Sequence, residues 1–398
     1  MANHPQNPGI NLLDGHFYAD GPHPYFTWMR AHAPVYRDER SGVWGVAAHA
    51  DIMHVSKNPQ TFCNSQGMRP DQPAIPSMIN MDDPQHVKRR RLVSNGFTPR
   101  RVLDHGPQVR TVCRDLVTRA KAKGSFDFVH DVAAPLPMIM IGDMLGVLPE
   151  DRDRLLRWSD DLIRGTSATA TPEAAMAAMN AFAEYSEYNR EVVDDRRRRG
   201  PGGEDLMSIL VHADIDGEKL DDEALLQESL LILIGGDETT RHVISGGMHQ
   251  LLHHPEQYQK LVDHPGRIPT AVEEMLRWVT PIQNMSRTAT RTVELHGETI
   301  REGDKVLLLY PSGNRDELVF DRPFEFDVER SPNPHVAFGG YGAHFCLGAS
   351  LARLELVTMF EEIVRELPML EFASADPVPL RPSNFIVGIE EMPVRVAG

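Results

Sequence analysis

Apolar positions along this chain recur with two periods. Spacing of three to four residues predicts helices, and short branched runs between turn residues predict strands. Residues 24–32 carry a short helical pattern. Val35 and Tyr36, then residues 43–46, flank a polar turn ending in Gly42, which predicts a hairpin. A helix over 49–57 is closed by Asn58-Pro59. Residues 62–84 hold four prolines and three methionines with little periodicity. A loop that long inside a globular chain is usually functional, and its Met68, Ile75, Met78 and Ile79 read as lining. Asp82-Asp83-Pro84 opens the next helix, with acids in the first turn and proline near its first position. Helical patterns follow at 109–123, 151–164 and 172–199, the last two joined by the small-residue segment 165–171. The apolar run 138–145 stops at Gly146 and Pro149, and RRRRGPGG, 196–203, reads as an exposed turn. The longest helical stretch runs from Asp221 to His254, with Leu225, Leu226, Leu230, Leu233 and Ile234 on a wide apolar face. Residues 271–277 are helical, 292–296 and 306–309 strand-like, and 384–388 an apolar turn. Behind Cys346, Leu351, Ala352, Leu354 and Val357 are spaced for the buried stripe of a helix.

The 398 residues suffice for a large core, and although that length allows two or three domains, no linker separates globular halves. A net charge of −16 argues against general binding to nucleic acid or to an anionic membrane. Cys63, Cys113 and Cys346 are too far apart to suggest a disulfide framework, which fits a reducing cytoplasm. The first residues show no signal-peptide pattern, and no apolar run approaches the roughly 20 residues of a spanning helix, so no stable membrane insertion is expected.

Three places carry candidate chemistry. Cys346 sits in a glycine-rich loop with Gly340, Gly342 and His344 before it and Gly348 after it. Glycines let a backbone pass close to something flat and bulky, and a helix N-terminus behind the cysteine is expected to lower its pKa. In the long helix, Gly235-Gly236-Asp237-Glu238-Thr239-Thr240 interrupts an apolar run. Two helical glycines cost about 1 kcal/mol each against alanine, and buried polar groups need a partner or a purpose. His86 and Arg90 share a helix face in the basic run with Lys88, Arg89 and Arg91. Glu274 and Arg277 make an E-x-x-R pair on a helix, trivial by itself.

Together, in this order, these strings resemble the cytochrome P-450 family of haem-thiolate monooxygenases. Gly340, Gly342, His344, Cys346, Gly348, Leu351, Ala352 and Glu355 match its cysteine loop; one departure is Phe338, eight residues before the cysteine where the family has seven. The resemblance implies a mainly α fold with a smaller β-rich region, a single cytochrome P-450 domain over 1–398, with haem b between the long central helix and the cysteine-loop helix. It implies Cys346 as axial ligand; His86, Arg90, Arg287 and His344 on the propionates; Phe338 packed on the haem; Gly235 and Gly236 making room for dioxygen; and Glu238 and Thr239 relaying protons. Glu274, Arg277 and Arg330 would form a buried structural ion pair. A ferredoxin with its reductase would supply electrons, docking on Lys88, Arg89, Arg91, Arg100 and Arg353, and the enzyme would be a monomer. Residues 67–84, 133–147, 230–242 and 273–278 resemble the actinobacterial subgroup that oxidises the terminal side-chain methyl of cholesterol and cholestenone. Met68, Ile75, Met78, Ile79, Leu233, Val279, Ile282, Met285, Phe385 and Ile386 would line its substrate funnel. The rivals are a hydroxylase of methyl-branched fatty acids or isoprenoids, peroxide-driven chemistry, and a haem-binding sensor that turns nothing over.

Overall fold

A computed structural model describes residues 5–165, 170–214 and 217–397. Helices form most of it. His23–His32, His49–Lys57, Pro172–Arg199 and Asp222–His253 lie within a residue of the predicted spans, because each has a strong stop or cap. Asp221 caps the long helix by accepting from the Ala224 N–H at 2.8 Å. Gly124, at φ 71°, ends Gly106–Lys123, and left-handed Gly146 ends Pro135–Leu145.

The strands are β1 Val35–Asp38, β2 Val43–Val46, β3 Phe62–Cys63, β4 Ser125–Asp127, β5 Asn284–Ala289, β6 Val293–Leu295, β7 Glu298–Ile300, β8 Lys305–Leu309, β9 Leu370–Phe372 and β10 Pro393–Val396. A five-stranded sheet runs β1-β2-β8-β5-β3, with β2 and β8 parallel. A second sheet, β4-β10-β9, ties the C-terminus to the segment after Gly124, and β6-β7 is a separate hairpin. The predicted hairpin is β1-β2, with Val35 opposite Val46.

The long helix Asp222–His253 is the axis. Apolar residues surround it on several sides, as expected for a helix in the middle of a core. Leu225, Leu230 and Leu233 pack with Trp158 and Tyr185 in one cluster, and Val243, Ile244, Met248 and Leu251 pack with Met275, Met359 and Phe360 in another. The cysteine-loop helix Ala349–Glu366 lies in the second cluster against Gly106–Lys123. No helix among the described residues is long and apolar enough to cross a membrane.

Two expectations about local structure need correction. RRRRGPGG is not a free turn. Arg196–Arg199 complete the helix Pro172–Arg199, and Arg196 is buried, with Nε on both Asp205 oxygens at 3.2 Å and Nη2 on the Gly146 carbonyl at 2.9 Å. The helix expected to open at Asp82 begins at Gln85, after a cis Asp83-Pro84 bond. Asp82 instead accepts from the N–H groups of Asn64 and Ser65, at 2.7 and 3.2 Å. The loop 62–84 is internally laced by Asn64 Nδ2 to the Ile79 carbonyl (3.1 Å) and Asn80 Oδ1 to the Met68 N–H (2.7 Å). Most of the joining segment 165–171 lies outside the described residues.

Candidate active site

Cys346 closes the loop that precedes Ala349–Glu366. Its N–H donates to the Phe338 carbonyl at 3.0 Å. The extra residue between Phe338 and the cysteine is absorbed by left-handed backbone at Gly339 (φ 96°) and Tyr341 (φ 55°), with Tyr341 stacked on Phe345. Gly340 and Gly342 are needed for a different reason than the sequence suggested. A Cβ on either would strike Ser56 of the helix His49–Lys57, for Gly342 at 1.9 Å from its carbonyl oxygen. The loop therefore passes close to a neighbouring helix.

The Cys346 side is exposed by surface area, yet protein crowds it closely enough that burial dominates its ionisation and pushes the thiol up. The N–H groups of Gly348 and Ala349 and the guanidinium groups of Arg90 and Arg353 act in the expected downward direction, but burial outweighs them. The expected net lowering is thus reversed. A thiolate here needs a stronger positive partner, and a metal ion supplies one.

Four basic groups converge beside the loop. The rings of His86 and His344 lie 4.0 Å apart. Arg90 donates to the Phe345 carbonyl at 2.5 Å, and Arg287 donates to the Ser286 carbonyl at 2.8 Å while facing Tyr310. Burial pulls all four below their ordinary pKa values, with mutual repulsion adding to it at both histidines. His86 is 2% exposed, and neither ring nitrogen makes a hydrogen bond; Asp83 stands 3.4 Å from Nδ1. A buried basic cluster with idle donors fits carboxylates entering from outside the chain, as haem propionates would. The space over Gly235 and Gly348, where an added Cβ would meet nothing within 4 Å, also suits a flat ligand.

On the long helix, Thr239 Oγ1 donates to the Gly235 carbonyl at 2.9 Å, and both are open to the interior. Gly236 is not. A Cβ there would meet Ile141 at 2.4 Å, so this glycine makes room for the helix Pro135–Leu145 rather than for dioxygen. Glu238 points the other way, fully buried, bonded to Arg241, to His242 at 3.1 Å and to Arg381 at 2.6 Å. Burial alone would raise its pKa, but these three groups together hold it well below the carboxylate range. Arg241 also reaches Asp160 at 3.0 Å. Arg241, His242 and Arg381 were missed as site residues. The first two were legible as i+3 and i+4 neighbours of Glu238; Arg381 is far off in sequence. Gly388 lets the C-terminal turn lie directly on His242, with a Cβ only 1.9 Å from Nδ1.

Of the expected lining residues, Met68, Ile79, Val279, Ile282, Met285 and Phe385 are half-buried and Ile75 is exposed. Leu233 is wrong: it is 0% exposed in the core, about 200° around the helix from Gly235. Half-buried Leu231, about 40° around the helix from Gly235, and half-buried Ile234, about 100° from it, flank the open face instead. Ile386 (2%) and Met78 (7%) are also packed inside. Phe338 is half-buried under the Arg353 guanidinium, 4.6 Å from its ring centre.

Glu274 and Arg277 are each 0% exposed and joined by two 2.7 Å bonds, and Arg330 Nε reaches the same carboxylate at 3.1 Å. The two arginines also donate to the carbonyls of Asn314, Asp321, Arg322, Pro323 and Glu325, fastening the segment before the cysteine loop. The expected basic patch is largely neutralised. Lys88 pairs with Glu218 (2.8 Å), Arg89 turns inward to Glu228 (3.4 Å), and Arg353 forks onto Glu273 (2.6 and 2.8 Å). Arg91 and Arg100 remain exposed.

Comparison with known proteins agrees with this geometry. The chain is 48% identical to a steroid C26-monooxygenase of Mycolicibacterium smegmatis, over 97% of this chain and 96% of that one. It is equally similar to a steroid C26-monooxygenase of Mycobacterium tuberculosis, over 97% of both. A solved Mycobacterium marinum cytochrome P450 in complex with pseudoionone superposes with a TM-score of 0.90 at 34% identity, covering 99% of this chain and 100% of that one. The cytochrome P450 family model matches residues 55–264 and 268–393. The chain therefore belongs to the cytochrome P450 family, monooxygenases whose haem carries a cysteine thiolate.

Proposed function

We propose that this enzyme hydroxylates the terminal side-chain methyl of a sterol such as cholesterol or cholest-4-en-3-one. The observation that carries the reading is full-length identity of 48% to two steroid C26-monooxygenases. Bound haem activates dioxygen, so that one oxygen atom enters a C–H bond and the other leaves as water, with two electrons and two protons consumed.

The chain's own residues supply the rest. Cys346 would hold the haem iron as its thiolate ligand, and His86, Arg90, Arg287 and His344 would hold the two propionates, which would give the idle ring N–H of His86 an acceptor. Thr239 orders water at the oxygen-binding face; its hydroxyl rests on the Gly235 carbonyl and turns to donate. Glu238 stays ionised at neutral pH between two guanidinium groups, so it serves the relay by fixing Arg241, His242 and Arg381 in place rather than by carrying a proton itself. Met68, Ile79, Val279, Ile282, Met285 and Phe385, with Leu231 and Ile234, form the apolar wall. Methionines suit an irregular, flexible tail. Electrons come from a ferredoxin served by its reductase. The enzyme is a cytoplasmic monomer, a setting that suits its free buried Cys63 and Cys113.

A second reading, ω-hydroxylation of methyl-branched lipids, is favoured by one comparison. A methyl-branched lipid omega-hydroxylase of Mycobacterium tuberculosis is 38% identical over 89% of this chain. An optical titration of the ferric enzyme with cholest-4-en-3-one and with phytanic acid separates the two. Loss of iron-bound water moves the Soret band to shorter wavelength. The sterol should give the tighter shift, and a shift with the acid alone transfers the assignment to branched lipids.

A further inference from the structure

One polar cluster lies outside every role assigned above. Arg69 follows Met68 in the loop 62–84 and is 7% exposed. Its guanidinium lies over the Phe385 ring, 4.5 Å from the centre. Nη2 donates to Asn384 Oδ1 at 2.8 Å and to Asp71 Oδ2 at 3.2 Å. Asn384 Nδ2 donates to the same Asp71 oxygen at 3.0 Å, and the Asn384 carbonyl accepts from Asn284 Nδ2 at 2.8 Å. These bonds join three segments that also meet through their backbones, Ser286 N–H to the Met68 carbonyl at 2.7 Å and Gln283 N–H to the Phe385 carbonyl at 2.8 Å.

Holding the loop to the C-terminal turn uses Nη2 alone. Nε is buried without a hydrogen-bond partner, and no hydrogen bond from Nη1 is found among the described residues. A guanidinium carries five donors in a fixed fork, and idle buried donors of a charged group are costly. The cluster borders half-buried Met68, Met285 and Phe385, three members of the apolar wall. An apolar wall with one charged donor set into it is how a pocket fixes the orientation of a largely apolar ligand.

We propose that Arg69 is a specificity determinant that donates to a neutral acceptor oxygen, a ketone or hydroxyl, on the part of the substrate remote from the oxidised carbon. Charge decides the class of acceptor. Asp71 already balances Arg69, and burial raises the pKa of the neighbouring Tyr18, which keeps it neutral. A carboxylate arriving here would leave one negative charge in excess in a buried site, whereas a carbonyl oxygen adds none. The proposal rests on the monooxygenase reading of the site and sharpens it toward an oxygenated sterol.

The test is a cycle on the haem-loaded enzyme, with ligand affinity read from the Soret shift. Cholest-4-en-3-one is compared with cholest-4-ene, its counterpart without the ketone, in wild type, Arg69→Met and Arg69→Lys. Arg69→Met should weaken the ketone about tenfold and the hydrocarbon less than about twofold, as loss of one hydrogen bond to a charged donor implies. Arg69→Lys keeps a charge beside Asp71 and still loses the fork, so it serves if the methionine variant fails to load haem. Equal weakening of both ligands would show a purely structural clamp and overturn the proposal. A methyl-branched ketone and its parent alkane form a second pair. If neither sterol binds wild type, the sterol reading fails, and a ketone-selective loss in this pair still supports Arg69, while an equal loss rejects it.

Discussion

Thr239 and Glu238 are neighbours in sequence, but the helix turns them apart. Thr239 opens to the interior, while Glu238 is locked among Arg241, His242 and Arg381. Removing each should therefore fail in different ways. Thr239→Ala deletes a hydroxyl bonded only to its own helix, so the fold and haem content should stay intact. Electron consumption should continue while product per electron falls several-fold and peroxide accumulates; unchanged coupling would remove Thr239 from the relay. Glu238→Gln takes the shared anion from two buried guanidinium groups, leaving Arg241 to Asp160 and Arg381 to Glu390 at 3.9 Å. Breaking a buried ion pair from one side costs about 3–5 kcal/mol, so this variant should lose thermal stability along with turnover. A variant of wild-type melting temperature would contradict the buried network. At Cys346, substitution by serine should abolish the red-shifted Soret band of the reduced CO complex, and retention of that band would mean another ligand.

At the scale of elements, the contact between the long helix and the cysteine-loop helix carries a titration. Asp237 on one helix and Glu355 on the other are both buried, neither oxygen of Asp237 has a hydrogen-bond partner, and the Asp237 charge adds to the rise at Glu355. Burial pushes Asp237 up to about 7 and Glu355 up to about 8. The native state then holds more protons than the unfolded chain between the ordinary carboxylate range and about pH 8. Stability from this pair is complete in acid and is lost as pH rises through that window. Glu355→Gln removes one titrating group, so its melting temperature relative to wild type should rise from about pH 5 to about pH 9. A flat difference would mean that Glu355 is ionised in the native enzyme. Such burial could not be read from sequence, because Glu355 and Asp237 meet only through tertiary packing. Helix ends could be read, since Asp221, Gly124 and Gly146 carry their stop signals locally. The glycines were legible as close approaches but not as approaches to what: Gly342 meets Ser56 and Gly236 meets Ile141, partners distant in the chain. Leu233 was misplaced because an apolar face wide enough to bury a helix on several sides gives no single phase, and only Gly235 and Thr239 mark the open one.

The whole molecule carries a net charge of −16, yet its cysteine side presents the basic helix Gln85–Ser94. Long-range repulsion opposes an acidic electron donor, so local attraction has to overcome it at short range. Five basic residues looked available in the sequence, but Lys88, Arg89 and Arg353 already face carboxylates. Arg91 and Arg100 are exposed and have no carboxylate partner among the described residues, and they should carry the steering. Replacing both with glutamate should raise the KM for reduced ferredoxin about tenfold, leave the sterol Kd unchanged, and flatten the fall of reduction rate with salt, because screening then has less attraction to remove. Substituting Lys88 and Arg353 should change KM less, since each is partly neutralised before the partner arrives. If the two glutamates leave KM and its salt dependence untouched, the electron donor approaches another face, and the basic run beside Cys346 serves the haem carboxylates and the fold alone.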